Sequence, residues 1–578
     1  MNEAAVASRR SLPGPADLVI TGRIATLAGR RGFGWEEALA LGRGRVIAAG
    51  RTAQIADLVG PGTQVWRLPA HLAVIPGITD AHLHLMQAAL AATQLSLATA
   101  HGRVEILARI RAAHVDRLAA GDAGGWLLGH GWSLDTMGGW PSAADLQAVA
   151  PGRPIALWAH DHHARWVSVA ALEGAGITAA TPDPGGGVIR RDDRGVPTGM
   201  LHESAAVLVD SAVPAVSADV RGRAVTAYAA ELAALGVIGV HDPAELATES
   251  GLWAGPGVYR AMAAEGRLPL RVAASMRDNQ LDAAIDAGMR TGLTPVSMAE
   301  DGTSSATRDR YRDGWLKLFA DGSLGSRSAA LLAPYEPGDP GGVPVGGPRG
   351  MLTHPADELA EHAGRAAAHG IASQIHAIGD AAVRSALDIL EAVPPMASGA
   401  RHRIEHAQLV DAQDVGRFSA LAVAASVQPC HLCSDAVAAS LAWGTRTDGA
   451  FPLRSLDRTG ALIPFGTDAP VEAPDPWRGI AAAVTRSDST WPADAAAFHS
   501  EQSIPVWRAL RAACHDPALS LNVVDEGVLL AGARADLLVL AVEGLRHPGP
   551  RGATLAATRP VATLLDGELV FRAPDFDP

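Results

Sequence analysis

The period of the apolar positions changes twice along this chain. From about residue 17 to 76, short apolar runs alternate with polar residues between glycine turns, as in "ADLVITGRIATLAG", "EALALGRGRVIAAG" and "TQVWRLPAHLAVIPG". Strands bounded by turn residues read this way. The far end repeats the style in "ARADLLVLAV" and "PVATLLDGELVFRA". Each end is too small for a core of its own, so residues 12–75 and 521–578 are expected to combine into one small β-sandwich.

Between these ends the pattern becomes strand followed by helix. Eight strand candidates stand out: 74–85, 236–243, 269–276, 314–323, 371–379, 401–408, 422–429 and 461–470. Alanine-rich stretches with helical spacing separate most of them, such as "DVRGRAVTAYAAELAALG" and "DELAEHAGRAAAHG". Eight such repeats predict an α/β fold, a (β/α)8 TIM barrel over 76–520. The segment 86–225, between the first and second strands, far exceeds a βα loop and is expected to form an insertion or lid. It holds its own strand, "PIALWAHDHH", and Trp126, Trp132, Trp140, Trp158 and Trp166. These tryptophans suit a satellite core, and some are candidates for a pocket wall over the barrel mouth.

Composition narrows the partners. The net charge of −13 comes with no basic cluster, which argues against nucleic acid or an anionic membrane surface. No run of apolar residues is long enough to span a bilayer, and the N-terminus "MNEAAVASRRSLPGPADLVI" lacks the apolar core of a secretory signal. Three cysteines, Cys430, Cys433 and Cys514, make no disulfide framework and fit the cytoplasm. The C-x-x-C of "CHLC" lacks the second pair of ligands that a structural zinc site needs. The expected partner is a small molecule, and the expected assembly a homodimer.

One residue type is nearly absent. Of the 48 lysines and arginines, Lys317 is the only lysine, and it lies within the apolar run "DGWLKLFADGS". Arginine stays protonated in proteins, whereas a buried lysine amine can lose its proton and react. A neutral amine can form a Schiff base, act as a base or take up carbon dioxide as a carbamate. Around it in the repeat order stand His82 and His84 in "DAHLHL", His376 in "QIHAIGD", His406 in "RIEHAQ" and Asp468 in "FGTDAP". His82 and His84 are two apart, a spacing that puts both side chains on one side of a strand. In this fold catalytic residues gather at the C-terminal ends of several strands. Imidazole and carboxylate are the usual donors to zinc and similar cations.

The stretches "PGITDAHLHL", "LKLFADGSLGSRSAAL", "HAIGDAAV", "RHRIEHAQL", "VQP", "GTDAPV" and "GARADLLVL" occur in an order that resembles the amidohydrolase superfamily. The likeness is to its family 3 or YtcJ-like branch, which includes N-substituted formamide deformylases. "GHGW" and "DHHARWV" in the inserted segment share the likeness. The resemblance implies two divalent cations, Zn2+ first and Mn2+ or Fe2+ as alternatives. His82, His84 and Asp468 would hold one, His376 and His406 the other, with Lys317 between them as a carbamate made from carbon dioxide. It implies hydrolysis of a C–N bond in a small amide, such as an N-formyl or N-acyl aryl or aralkyl amine, with Asp468 as general acid and base. His163 would bind the developing oxyanion. Trp132, Trp166, Arg327 and Gln428 are the candidate substrate contacts, and Glu203 a candidate support behind them. An esterase or lactonase on the same site is the first alternative. A mononuclear deaminase is disfavoured because Gly379 stands where such sites place glutamate. A non-catalytic barrel is disfavoured because all six ligands are present.

Overall fold

The computed structural model describes residues 15–29, 31–244, 256–294, 308–338 and 344–578. Residues 1–14, which hold most of the N-terminus read above for a signal and the start of the first expected domain, lie outside the described residues.

Among the described residues, seven parallel strands make the central sheet, and their spatial order follows the chain. They are Ile78–Asp80, Val237–Asp242, Arg271–Arg277, Tyr311–Phe319, Ser373–Ala377, Arg403–His406 and Ala424–Ser426. Every residue of the second, third, fifth, sixth and seventh is buried. Helices covering the outer face account for this, and for apolar runs in place of alternation. Helix Asp380–Ala392 shows the matching pattern, turning Val383, Ala386, Leu387 and Leu390 inward. Helix Ala218–Leu235 shows how the sequence sets its ends. Ser217 Oγ accepts from the Val220 N–H at the start, and Gly236 at φ 89 terminates it.

The first and eighth strands differ from expectation. The run 74–85 is divided: Leu72–Pro76 pairs antiparallel with Leu537–Ala541 in another sheet, and only Ile78–Asp80 joins the parallel one. His82 and His84 lie past that strand's end, leading into helix Leu85–Ala91. The 461–470 run forms no regular strand. Pro464 has no N–H to give and Asp468 sits at φ 61, so a ladder cannot continue. The run still closes the ring. Phe465 bridges Val427 in parallel, Ala81 N–H donates to the Phe465 carbonyl at 2.8 Å, and Asp468 N–H to that of His82 at 2.7 Å.

Both chain ends meet in one eight-stranded sheet, with Leu18–Ala25, Trp35–Gly42 and Arg45–Gly50 on one side of Leu72–Pro76 and Leu537–Ala541, Pro560–Leu565 and Glu568–Arg572 on the other. Residues 95–203 supply a separate six-stranded sheet beside helix Gly102–Ala119. Among the described residues no helix is long and apolar enough to cross a membrane.

Candidate metal centre

Alternation along the fourth strand decides what Lys317 meets. Leu316 and Leu318 pack into the main apolar core, so Lys317 between them faces the opposite way, into the ring. Its side chain is only 1% exposed, with Nζ 4.6 Å from the centre of the Phe319 ring. Burial pulls the amine from 10.5 down to about 8, although Glu405 and Asp468 pull the other way.

Asp468 approaches from across the ring. Its Oδ1 lies 3.4 Å from His82 Nε2 and 3.5 Å from His84 Nε2. Asp80 ties the two sides together, accepting from Thr467 Oγ1 at 2.6 Å and from the His82 N–H at 3.1 Å. His82 Nδ1 donates to the Glu405 carboxylate. Arg403 holds that carboxylate with Nε–H and Nη2–H bonds of 2.8 and 3.1 Å. A carboxylate behind one ring nitrogen fixes the tautomer, leaving the His82 Nε2 lone pair for Asp468's side.

His376 and His406 complete the cluster. Their ring centres are 4.5 Å apart, and His406 is 5.0 Å from His82. His376 Nε2 donates to the Gly322 carbonyl at 3.0 Å, so its Nδ1 keeps a lone pair. Gly322 must be glycine. A Cβ there would lie 2.1 Å from Ser328 Oγ and 2.3 Å from Glu203 Oε1. Burial pushes His376 and His406 well below 6.5 and His82 down to about 4, so these rings are neutral at neutral pH. Burial opposes the charge of Asp468 too, but the surrounding imidazoles hold it well below the ordinary carboxylate range.

Neutral imidazoles beside one carboxylate are what a divalent cation requires. Among the described residues, two groups bring one ligand atom from each member within 4.8 Å of one another: His82, His84 and Asp468, and His406, His431 and Asp468. His406 Nδ1 is buried without a hydrogen-bond partner. The donor set therefore fits a cation. His431 is not among the expected residues; in the sequence it sits inside "CHLC", between two cysteines. All three cysteines are free and buried.

The inserted segment touches the ring through the turn at 160–163. Asp161 accepts from Ser323 Oγ at 2.6 Å and Ser326 Oγ at 2.7 Å, in the loop after the fourth strand. His163 lies 5.0 Å from His376, ring to ring, and its Nδ1 pairs with Glu203 at 2.8 Å. Burial works against its charge, but Glu203, Asp161 and Asp321 outweigh it and raise it to about 9. Glu203 also accepts from Ser328 Oγ at 2.6 Å.

Other expected contacts are elsewhere. Arg327 donates to the Leu324 carbonyl at 2.9 Å and to Asp135 at 3.3 Å, holding its own loop. Trp132 and Trp166 belong to the core of the inserted segment, their indole N–H groups satisfied by the Leu157 and Ser142 carbonyls at 3.0 and 2.8 Å. Packing corrects their expected place in the pocket wall: they are 1% and 0% exposed among Leu157, Met200 and Ile110. Gln428 stays beside the site, lining a small pocket with His406, Gln408, Phe451 and Leu453.

Comparison with known proteins adds sequence and fold relatives. The amidohydrolase family model matches residues 71–571. The putative amidohydrolase YtcJ of Bacillus subtilis (strain 168) is 30% identical over 472 residues, 81% of this chain and 84% of that one. The N-substituted formamide deformylase of Arthrobacter pascens is 26% identical over 545 residues, 90% of this chain and 93% of that one. The crystal structure of an uncharacterized metal-dependent hydrolase from Pyrococcus horikoshii OT3 superposes with a TM-score of 0.68 at 25% identity, over 91% of this chain and 98% of that one.

Proposed function

Because the chain belongs to the amidohydrolase family, we propose that it is a metal-dependent hydrolase cutting the C–N bond of a small amide, an N-formyl or N-acyl aryl or aralkyl amine. The observation that carries the reading is the convergence of His82, His84, His376, His406 and Asp468 in one ring with the buried, only lysine.

In this reading His82, His84 and Asp468 would hold one divalent cation and His376 and His406 a second, with Lys317 as a carbamate contributing a further ligand. Zn2+ suits the nitrogen and oxygen donors, with Mn2+ or Fe2+ as alternatives. Bound there, such cations supply Lewis acidity and bring the pKa of water to about 7. A depressed amine such as Lys317 has a larger neutral fraction to react with carbon dioxide, which arginine could not do. Asp468 receives the proton of the attacking water on its carboxylate and passes it to the amide nitrogen, which leaves poorly unless protonated. His163, its Nδ1 held by Glu203, presents Nε2–H to the oxygen where negative charge develops. Residues 86–225 act as the lid, the two chain ends as a small sandwich, and the protein as a cytoplasmic homodimer.

The test presents one arylamine as its formyl, acetyl and carbamoyl amides and as a matched ester of similar shape to zinc-loaded protein, and measures product release. Preferential cleavage of one amide is expected. Cleavage of the ester alone would move the protein to the esterase reading, and no cleavage with two metals bound would sink the substrate class.

A further inference from the structure

Asp468 has two oxygens, and different histidines face them. Oδ1 lies against His82 and His84 at 3.4 and 3.5 Å, while Oδ2 lies 3.5 Å from His431 Nε2. His431 opens helix His431–Trp443, directly after the seventh strand, and its ring lies nearly parallel to His406, 11° apart in plane and 5.8 Å between centres. From distances alone His431 has two uses. It can give a lone pair to a cation shared with His406 and Asp468, or it can donate an N–H to the free oxygen of Asp468.

The far side of the ring separates these uses. His431 Nδ1 lies 3.1 Å from the side-chain nitrogen of Gln408, and that same nitrogen lies 3.2 Å from Asp435 Oδ2. A carboxylate accepts and does not donate, so Asp435 turns the Gln408 amide with its NH2 inward. One N–H goes to Asp435. The other points at Nδ1, which must therefore be the acceptor. A neutral imidazole carries a single proton, which is left to Nε2, the atom facing Asp468. A protonated nitrogen cannot ligate a metal.

We propose that His431 is a positioning residue, set by Asp435 and Gln408 as an Nε2–H donor that holds Asp468 Oδ2, and that it is not a metal ligand. The consequence is a division of labour on Asp468: Oδ1 faces the metal-side histidines, while Oδ2 is kept oriented for proton transfer. The 3.5 Å separation is longer than a formed hydrogen bond, as catalytic contacts often are before substrate binds. The ligand set and the proton role of Asp468 come from the proposed function, on which this inference rests; the state of His431 does not depend on the substrate.

The experiment uses the full chain loaded with Zn2+, with His431→Gln and His431→Leu as variants. Glutamine reaches about as far as Nε2 and keeps a donor; leucine does not. Zinc per chain is expected to be unchanged in both. Nitrogen-15 imidazole spectra of wild type, with His431 assigned by its loss in His431→Gln, are expected to show the proton on Nε2. Loss of zinc from His431→Gln, or a proton on Nδ1, would overturn the proposal and make His431 a ligand. On whichever amide of the panel is cut, His431→Leu is expected to lower kcat about 10- to 100-fold with KM little changed, and His431→Gln to recover most of it. Unchanged kcat in His431→Leu would also overturn it. If wild type cuts no amide, the amide reading fails and the zinc and tautomer results still decide this one.

Discussion

Glu405, on the sixth strand, grips Nδ1 of His82, on the bend after the first, and both side chains are sealed from solvent. The pair works as a ligand and its holder: Arg403 neutralises Glu405, and Glu405 dictates which nitrogen His82 turns to the centre.

Glu405→Gln should therefore weaken zinc binding about 10- to 100-fold, because the amide can no longer enforce the tautomer. Removing the charge also leaves Arg403 buried opposite a neutral group, which costs about 3 kcal/mol of stability. Zinc titration and denaturant unfolding of the same variant measure the two effects. Unchanged affinity would mean that Glu405 serves packing only.

Lys317→Arg tests the carbamate. Arginine keeps the positive charge but cannot add carbon dioxide. The variant should lose bridged metal binding and all activity, while its far-ultraviolet circular dichroism stays that of a folded barrel. Full activity in that variant would sink the carbamate assignment.

Gly322→Ala probes how the inserted segment and the ring share one tight corner. The new methyl would sit 2.1 Å from Ser328 Oγ and 2.3 Å from Glu203 Oε1. Either must move, and moving Glu203 releases His163 while shifting the Gly322 carbonyl that orients His376. Overpacking of this kind costs about 1–3 kcal/mol. Activity should fall further than the stability loss explains, as kcat and thermal unfolding measured together would show. A drop in stability with normal kcat would uncouple the corner from the site.

Stability at acid pH should depend on Glu526. Burial opposes its charge, but Arg312, Arg271 and Arg534 outweigh it and lower its pKa from 4.5 to about 2. A folded-state pKa below the unfolded one means stability that is full above 4.5 and lost as pH falls from 4.5 towards about 2. The shift corresponds to about 3 kcal/mol. Glu526→Gln should be less stable than wild type at neutral pH, with the gap closing across that window in urea unfolding. A gap that stayed constant with pH would rule this linkage out.

Much of this was legible from residues alone, for physical reasons. Buried parallel strands need continuous apolar runs, and amphipathic helices need their 3.6 period, so six of the eight strand candidates coincide with observed strands. The other two failed where backbone detail overrides apolarity. Pro464 withholds an N–H, and Pro76 and Gly77 end one strand so that the next can join a different sheet. Trp132 and Trp166 misled because a tryptophan looks the same in sequence whether it walls a pocket or fills a core. His431 escaped because nothing near it in the chain states its partners. Gln408 and Asp468 lie 23 and 37 positions from it, and only folding brings their atoms to it.

The sequence by itself determined the chemistry on offer: one lysine where arginine would fail, and histidines and an aspartate spaced at the ends of repeating strands. Side-chain type and period are local properties, and they survive in one dimension. Only the tertiary structure decided which nitrogen of each ring faces inward, which carboxylate enforces it, and which groups the arginine and the tryptophans bond. Those are matters of direction and distance between groups remote in the chain, and hydrogen-bond geometry exists only once the ring has closed.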